Sequence, residues 1–229
     1  MTFTIVNGQI YTPGLAIVNA PQPYTPLGGD NLHVSIDVSG NGRLSLSSDD
    51  APTRFHEIQL FLTSAEKEKN LTISNGTSAD PASGEAGYVG PVLDLEPSST
   101  VKHINWIWPG CFVGEGGGDG GSDSARGNYN ISMHQSFRWN GTDYYTVFDL
   151  PISVSNGIAE DEDRVDCGLL QNGYRPGLVV ASNASIPGQP WVGEDGQVVV
   201  LDENDGARRK SVKGHGLWMV FVLVMALVL

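Results

Sequence analysis

From Tyr129 the chain alternates strictly, with Tyr129, Ile131, Met133 and Phe137 on one side and Asn130, Ser132, His134, Ser136 and Arg138 on the other. A side-chain period of two belongs to a strand with one buried face. Asn140-Gly141 follows at once, a dipeptide suited to positive φ at both centres of a two-residue turn, and it joins this strand to a second over 144–154. The same period recurs upstream. Leu32, Val34, Ile36 and Val38 alternate with His33, Ser35 and Asp37; Ile58, Leu60 and Leu62 with Gln59 and Phe61; Ile104, Trp106 and Trp108 with Asn105 and Ile107. Residues 1–18 read as strand, turn and strand. No 11-residue window before the C-terminal tail has helical periodicity.

Turn residues separate these runs densely, at Pro21, Pro23, Pro26, Gly28-Gly29 and Gly40-Asn41-Gly42. The 29 glycines and 13 prolines favour many short strands over helices. The expected fold is all-β, an antiparallel β-sandwich of the immunoglobulin or fibronectin type, spanning residues 1–187. Gly127-Asn128-Tyr129 at a strand start resembles a tyrosine corner, whereas Cys111 and Cys167 lack the spacing around a Trp that antibody domains show.

Residues 217–229 (LWMVFVLVMALVL) carry no charge; a polar, basic spacer over 207–216 precedes them, and the small-residue cluster Asn204, Asp205, Gly206 comes before that. Small residues, a spacer of about 8–12 and an apolar tail of about 10–20 form the pattern of a GPI-anchor signal. On this reading 188–206 links the domain to the attachment site, Asn204 first with Asp205 or Gly206 as alternatives, and 207–229 is removed. A single membrane-spanning helix is the rival. Thirteen residues make about 20 Å of helix against a hydrocarbon core of about 30 Å, which favours the anchor signal. Anchor attachment requires export. Residues 1–18 have no Lys or Arg and no apolar run of signal-peptide length, so a signal peptide ahead of the present start is expected; a cytosolic chain with a chance apolar tail is the alternative.

Export changes how the other residues read. Cys111 and Cys167, the only cysteines, have one possible pairing, and in an oxidising compartment a disulfide is the default. Sequons stand at Asn70, Asn75, Asn130, Asn140 and Asn183, where 14 Asn among 31 Ser and Thr give about two by chance. Asn130 lies on the polar side of its strand, Asn140 at a turn tip, and Asn70 and Asn75 flank an apolar stretch as exposed positions. The net charge is −13, and loss of 205–229 would take four basic residues and one acidic residue with it, giving −16. Such a surface repels nucleic acid, which is not expected as a partner.

No catalytic motif appears: there is no G-x-S-x-G, no H-E-x-x-H and no P-loop. His33, His56, His103, His134 and His215 are scattered singly, and His33 and His134, on polar strand faces, read as solvated. The Gly-rich loop 114–127 and the acidic loop 160–166 lack the repeats and ligand spacing of calcium sites, so no metal and no cofactor is expected. The expected role is therefore non-enzymatic, structural or recognising a carbohydrate or protein partner. Tyr145 and Phe61 are the aromatics to stack on a sugar, or else packed within the sheet. The alternative is a secreted carbohydrate-active enzyme with a dispersed site, in which Asp149 or Asp37 joins a carboxylate pair.

The stretches VNGQIYTPGLAIVNAPQPYTPLGG (6–29), LHVSIDVSGNG (32–42), VKHINWIWPGC (101–111) and NYNIS…FDLPISVSN (128–156) resemble a family of uncharacterised secreted proteins of filamentous fungi. The resemblance covers about 6–167. It implies a signal peptide, N-glycan sequons, a cysteine pair and a GPI-type tail, hence a cell-surface or cell-wall glycoprotein held to the membrane by glycolipid. It supplies no catalytic residues. The stretch before the anchor has little of the Ser/Thr-rich stalk common in fungal wall proteins.

Overall fold

The structure, a computed structural model, describes residues 4–44, 50–77, 87–115, 124–173 and Trp191. Ten strands run in order: β1 Thr4–Val6, β2 Gln9–Tyr11, β3 Ile17–Ala20, β4 Pro26–Leu27, β5 Asn31–Asp37, β6 Arg54–Ser64, β7 Lys69–Ser74, β8 Val101–Ile107, β9 Gly127–Trp139 and β10 Thr142–Val154. They form two five-stranded sheets, β1-β2-β3-β5-β8 and β4-β10-β9-β6-β7. All pairings are antiparallel except β4 with β10. The expected all-β architecture is present. A four-residue helix, α1 Cys167–Leu170, is an element the sequence pattern did not announce.

One hydrophobic core lies between the sheets, with Ile10, Val18, Leu32, Val34, Ile36, Ile104 and Trp106 from the first and Ile58, Leu60, Leu62, Ile131, Met133, Phe148 and Leu150 from the second. Those on β5, β6, β8 and β9 are residues the alternation singles out, because successive strand side chains point to opposite faces; Ile10, Val18, Phe148 and Leu150 join them in the core. The β9–β10 hairpin closes through Asn140 at φ 49° and Gly141 at φ 82°. Positive φ at both positions matches the turn to the twist of its strands.

Aromatic rings fill the end of the core near β4. Trp106 meets Trp108 edge-on at 5.8 Å, Trp108 meets Phe112 at 5.5 Å, and Phe112 meets Tyr129 at 5.3 Å. Their polar atoms are paired: the Trp106 indole donates to the Gly87 carbonyl, Trp108 to Gly28, and the Tyr129 hydroxyl to Ala125 four residues upstream. Cys111 and Cys167 form a disulfide beside this stack, with Cα atoms 6.0 Å apart. It fastens the arm that follows β10 to the turn after β8. Gly110 N–H also donates to the Val165 carbonyl at 2.9 Å, and Gly114 and Ile158 form a two-residue bridge.

The opposite end is closed by a smaller cluster of Tyr11, Leu15, Ile17, Phe137 and Trp191. Trp191 is fully buried, donates to the Leu15 carbonyl at 2.9 Å and meets Trp139 edge-on. A Cβ on Gly40 would come within 2.8 Å of its ring. Gln135 stitches the layers together: its Oε1 accepts from Ala16 N–H at 3.0 Å and its Nε2 donates to Thr12 Oγ1 at 2.9 Å.

Candidate functional site

The four sequons among the described residues all belong to the second sheet. Asn140 is exposed at the β9–β10 turn, which its own N–H holds against Thr53 Oγ1 at 3.1 Å. Asn75 follows β7 in a local turn where the hydroxyl and N–H of Thr77 both donate to its Oδ1, at 2.7 and 3.0 Å. Both bonds fall on the carbonyl oxygen and neither on Nδ2, the atom that carries an N-glycan. Asn130 and Asn70 occupy one row across the sheet, since Thr63 is paired with Asn130 on one side and with Asn70 on the other. Two strand spacings put them about 10 Å apart on the outer face.

Asn70 differs from the exposed position expected for it. It is half-buried, its Oδ1 has essentially no contact with solvent, and its main-chain carbonyl accepts from Asn172 N–H at 2.8 Å. The segment after α1 lies along the free edge of β7, also through the Leu71–Gln171 bridge. Asn183, the attachment candidates Asn204, Asp205 and Gly206, and the tail 217–229 lie outside the described residues. Among those described, no helix is long and apolar enough to cross a membrane.

His134 requires a correction. Read as solvated, it is 3 % exposed, and Ser132 beside it is fully buried. The imidazole stands edge-on to Phe61 at 5.0 Å, with Nδ1 2.6 Å from the Tyr145 hydroxyl and Nε2 3.3 Å from Ser132 Oγ. Burial lowers its pKa and Asp149 pulls it partly back. Asp149 is paired with Ser132 across β9 and β10, so Ser, His, Tyr and Asp share one patch of sheet. Ser132 has no surface from which to meet a substrate; the contact orients the imidazole and does not present a nucleophile to solvent. Phe61 is 2 % exposed and is packed within the sheet, and Tyr145 is half-buried with its hydroxyl on His134.

At the hairpin end of the same face, Arg138 grips Asp143 through two bonds of 2.7 Å and His56 adds a third at 2.9 Å. The Arg138 bonds, then that of His56, hold the Asp143 carboxyl well below the usual carboxylate range. Asp37 and Asp149, each considered for a carboxylate pair, are not brought together. Asp37 is on β5 of the first sheet, accepting from Ser39 N–H and Oγ at 2.6 and 2.7 Å and from Asn41 N–H. Among the described residues no three His, Cys, Asp or Glu side chains are placed to hold a metal ion. Of the acidic loop, 160–163 are exposed; of the Gly-rich loop, 116–123 lie outside the described residues.

His33 remains exposed as expected, stacked on His103 with centroids 5.6 Å apart. Its Nδ1 is 2.7 Å from Asn105 Oδ1, and that of His103 is 3.0 and 3.1 Å from the two Glu96 oxygens. The buried relay at His134 and the Gln135 bridge are what the sequence reading missed; the one available signal was a glutamine standing at an inward position of β9.

No family model, no curated protein and no solved structure matches the chain.

Proposed function

We propose that the chain is the domain of a non-enzymatic, exported surface glycoprotein, held to the outer leaflet of the membrane by a glycolipid and displayed there or in the cell wall. The observation that carries this reading is the disulfide joining its only two cysteines, a bond that persists in oxidising compartments and is rare in the cytosol. Supporting it, Asn140 is exposed at a turn tip and Asn75 turns its carbonyl, not its amide nitrogen, into a local turn. The tail pattern places the anchor at Asn204, or at Asp205 or Gly206. A fungal wall protein that engages wall polysaccharide or a protein partner is the form the family resemblance favours.

The fold we assign is immunoglobulin-like. With β3, β5 and β8 taken as strands A, B and E, and β6, β7, β9 and β10 as C, C′, F and G, the sheet orders fit that scheme. Tyr129 then stands at the start of F with its hydroxyl returned to Ala125, the placement of a tyrosine corner. The disulfide departs from the scheme, since Cys111 lies between E and F and Cys167 beyond G.

The test is phosphatidylinositol-specific phospholipase treatment of cells expressing the full-length gene. Release of the protein in a form that shrinks on N-glycan removal is expected. Retention on the membrane, or release without any change in size on deglycosylation, overturns the corresponding half of the reading.

A further inference from the structure

Trp191 stands within the stretch 188–206 read as linker, yet it is fully buried at the hairpin end of the sandwich. Its indole N–H donates to the Leu15 carbonyl at 2.9 Å, Trp139 meets it edge-on at 5.4 Å, and the Arg43 guanidinium lies 5.8 Å from the ring centroid. Gly40, at φ 58°, makes room for it, since a Cβ there would come within 2.8 Å of the ring. Leu15 comes from the β2–β3 turn, Gly40 and Arg43 from the segment after β5, and Trp139 from the end of β9, so three separate parts of the chain build the socket. A buried indole removes about 200 Å² of surface from water, and its polar atom is paired here.

The described chain that precedes Trp191 ends at the other end of the molecule. Cys167 is bonded to Cys111 beside the aromatic stack, and Gln171 and Asn172 pair with Leu71 and Asn70 near the start of β7. Gly173 follows them. The 13-residue strands β9 and β10 run from this disulfide end to the Asn140-Gly141 turn, a length of about 40 Å. From Gly173 to Asn204, the first candidate for anchor attachment, there are 31 residues, which reach at most about 105 Å. From Trp191 there are 13, which reach at most about 45 Å.

We propose that the Trp191 socket sets the polarity of display: it holds the hairpin end of the domain toward the membrane and turns the disulfide end outward. This rests on the membrane-anchored reading given above. Tether length decides the polarity. Whichever end bears the last fixed residue before the anchor stays within reach of the bilayer, while the far end stands up to a further molecular length of about 40 Å away. With Trp191 seated, that residue is at the hairpin end. With Trp191 out of its socket it is Gly173, at the disulfide end, and the domain inverts. A tether of up to about 45 Å also leaves room for a sugar on Asn140 beside the turn. The end turned outward carries the exposed carboxylates of Asp30, Glu66, Glu68 and residues 160–163, which this polarity keeps clear of lipid phosphate.

Energy transfer to an acceptor dye carried by the membrane lipid tests this on the full-length protein displayed on cells. One fluorescent amino acid is introduced either at Asp50, exposed next to the Pro52–Gly141 contact at the hairpin tip, or at Glu162, exposed at the disulfide end. Transfer is expected to be at least about twofold greater from position 50 than from position 162, given their separation along strands about 40 Å long. Trp191→Ala, with its folding checked by circular dichroism, is expected to abolish or reverse that ratio. Should the variant not fold, the wild-type pair decides by itself: equal transfer, or more from position 162, overturns the proposal. A folded Trp191→Ala protein that keeps the wild-type ratio overturns it too. Transfer from neither position, with a protein that washes off the cells, overturns the anchored reading and the polarity with it, so the two failures are told apart.

Discussion

Replacing both cysteines, Cys111→Ser with Cys167→Ser, tests what holds the C-terminal arm. The bridge closes a loop with a sequence separation of 56. Cross-linking of that span removes unfolded-state entropy equivalent to about 4 kcal/mol at 25 °C on the chain-entropy account. For a domain of this size each kcal/mol moves the melting temperature by about 2–4 °C, so a fall of about 8–16 °C is expected. The folded arm itself has other attachments. Arg164, with a side chain 3 % exposed, donates to the carbonyls of Trp108, Ala159 and Asp30 at 2.9, 2.7 and 3.3 Å. Gly110 N–H and the Gly114–Ile158 bridge add to these. The double variant therefore keeps the native arrangement below its midpoint, and the loss appears as lowered stability, not as a detached arm. Thermal melts by circular dichroism, with the near-ultraviolet spectrum recorded at 20 °C by way of control, separate the two. A drop smaller than about 3 °C with a native spectrum would refute the loop-entropy account.

Two further outcomes follow from buried polar groups. Burial keeps the His134 imidazole below its ordinary pKa, so between that lowered value and about 6.5 the unfolded chain binds a proton the folded chain refuses. Stability is thus lost as pH falls from the ordinary histidine range through the folded value. The urea midpoint is expected to drop between about pH 7.5 and pH 5.5, and His134→Gln to flatten that difference; an unaltered difference in the variant rules His134 out as its source. Tyr129→Phe leaves the Ala125 carbonyl without its donor at a site 3 % exposed and is expected to cost about 1–2 kcal/mol in urea unfolding. A variant as stable as the parent would mean that this corner is packing alone.

What the sequence disclosed and what it withheld divide along one physical line. Period-two alternation reports which face of a strand a residue is on, and it named the inward residues of β5, β8 and β9 correctly because those strands have no bulge in their central pairings. The Asn140-Gly141 turn was legible because its φ angles are a local demand of the backbone. The cysteine pair was legible because two residues allow one pairing. Whether an outward face is wet is a different quantity, set by chain that returns from far away. His134 is outward on β9 yet buried between Phe61 and Tyr145. Asn70 is outward on β7 yet half-covered by a segment 100 residues later.

The same distinction holds at the strand edges. Face burial leaves a trace in residue type, whereas edge pairing is made by main-chain groups that every residue but proline possesses. Nothing in the residue types of VKHINWI states which half of β8 is paired at its outer side. Only the bonds from Ser99 and Glu96 do so, by occupying one half. Among the described residues the sequons and the strand charges that reach the surface belong to the second sheet, whereas Asp37 and Lys102 of the first are buried.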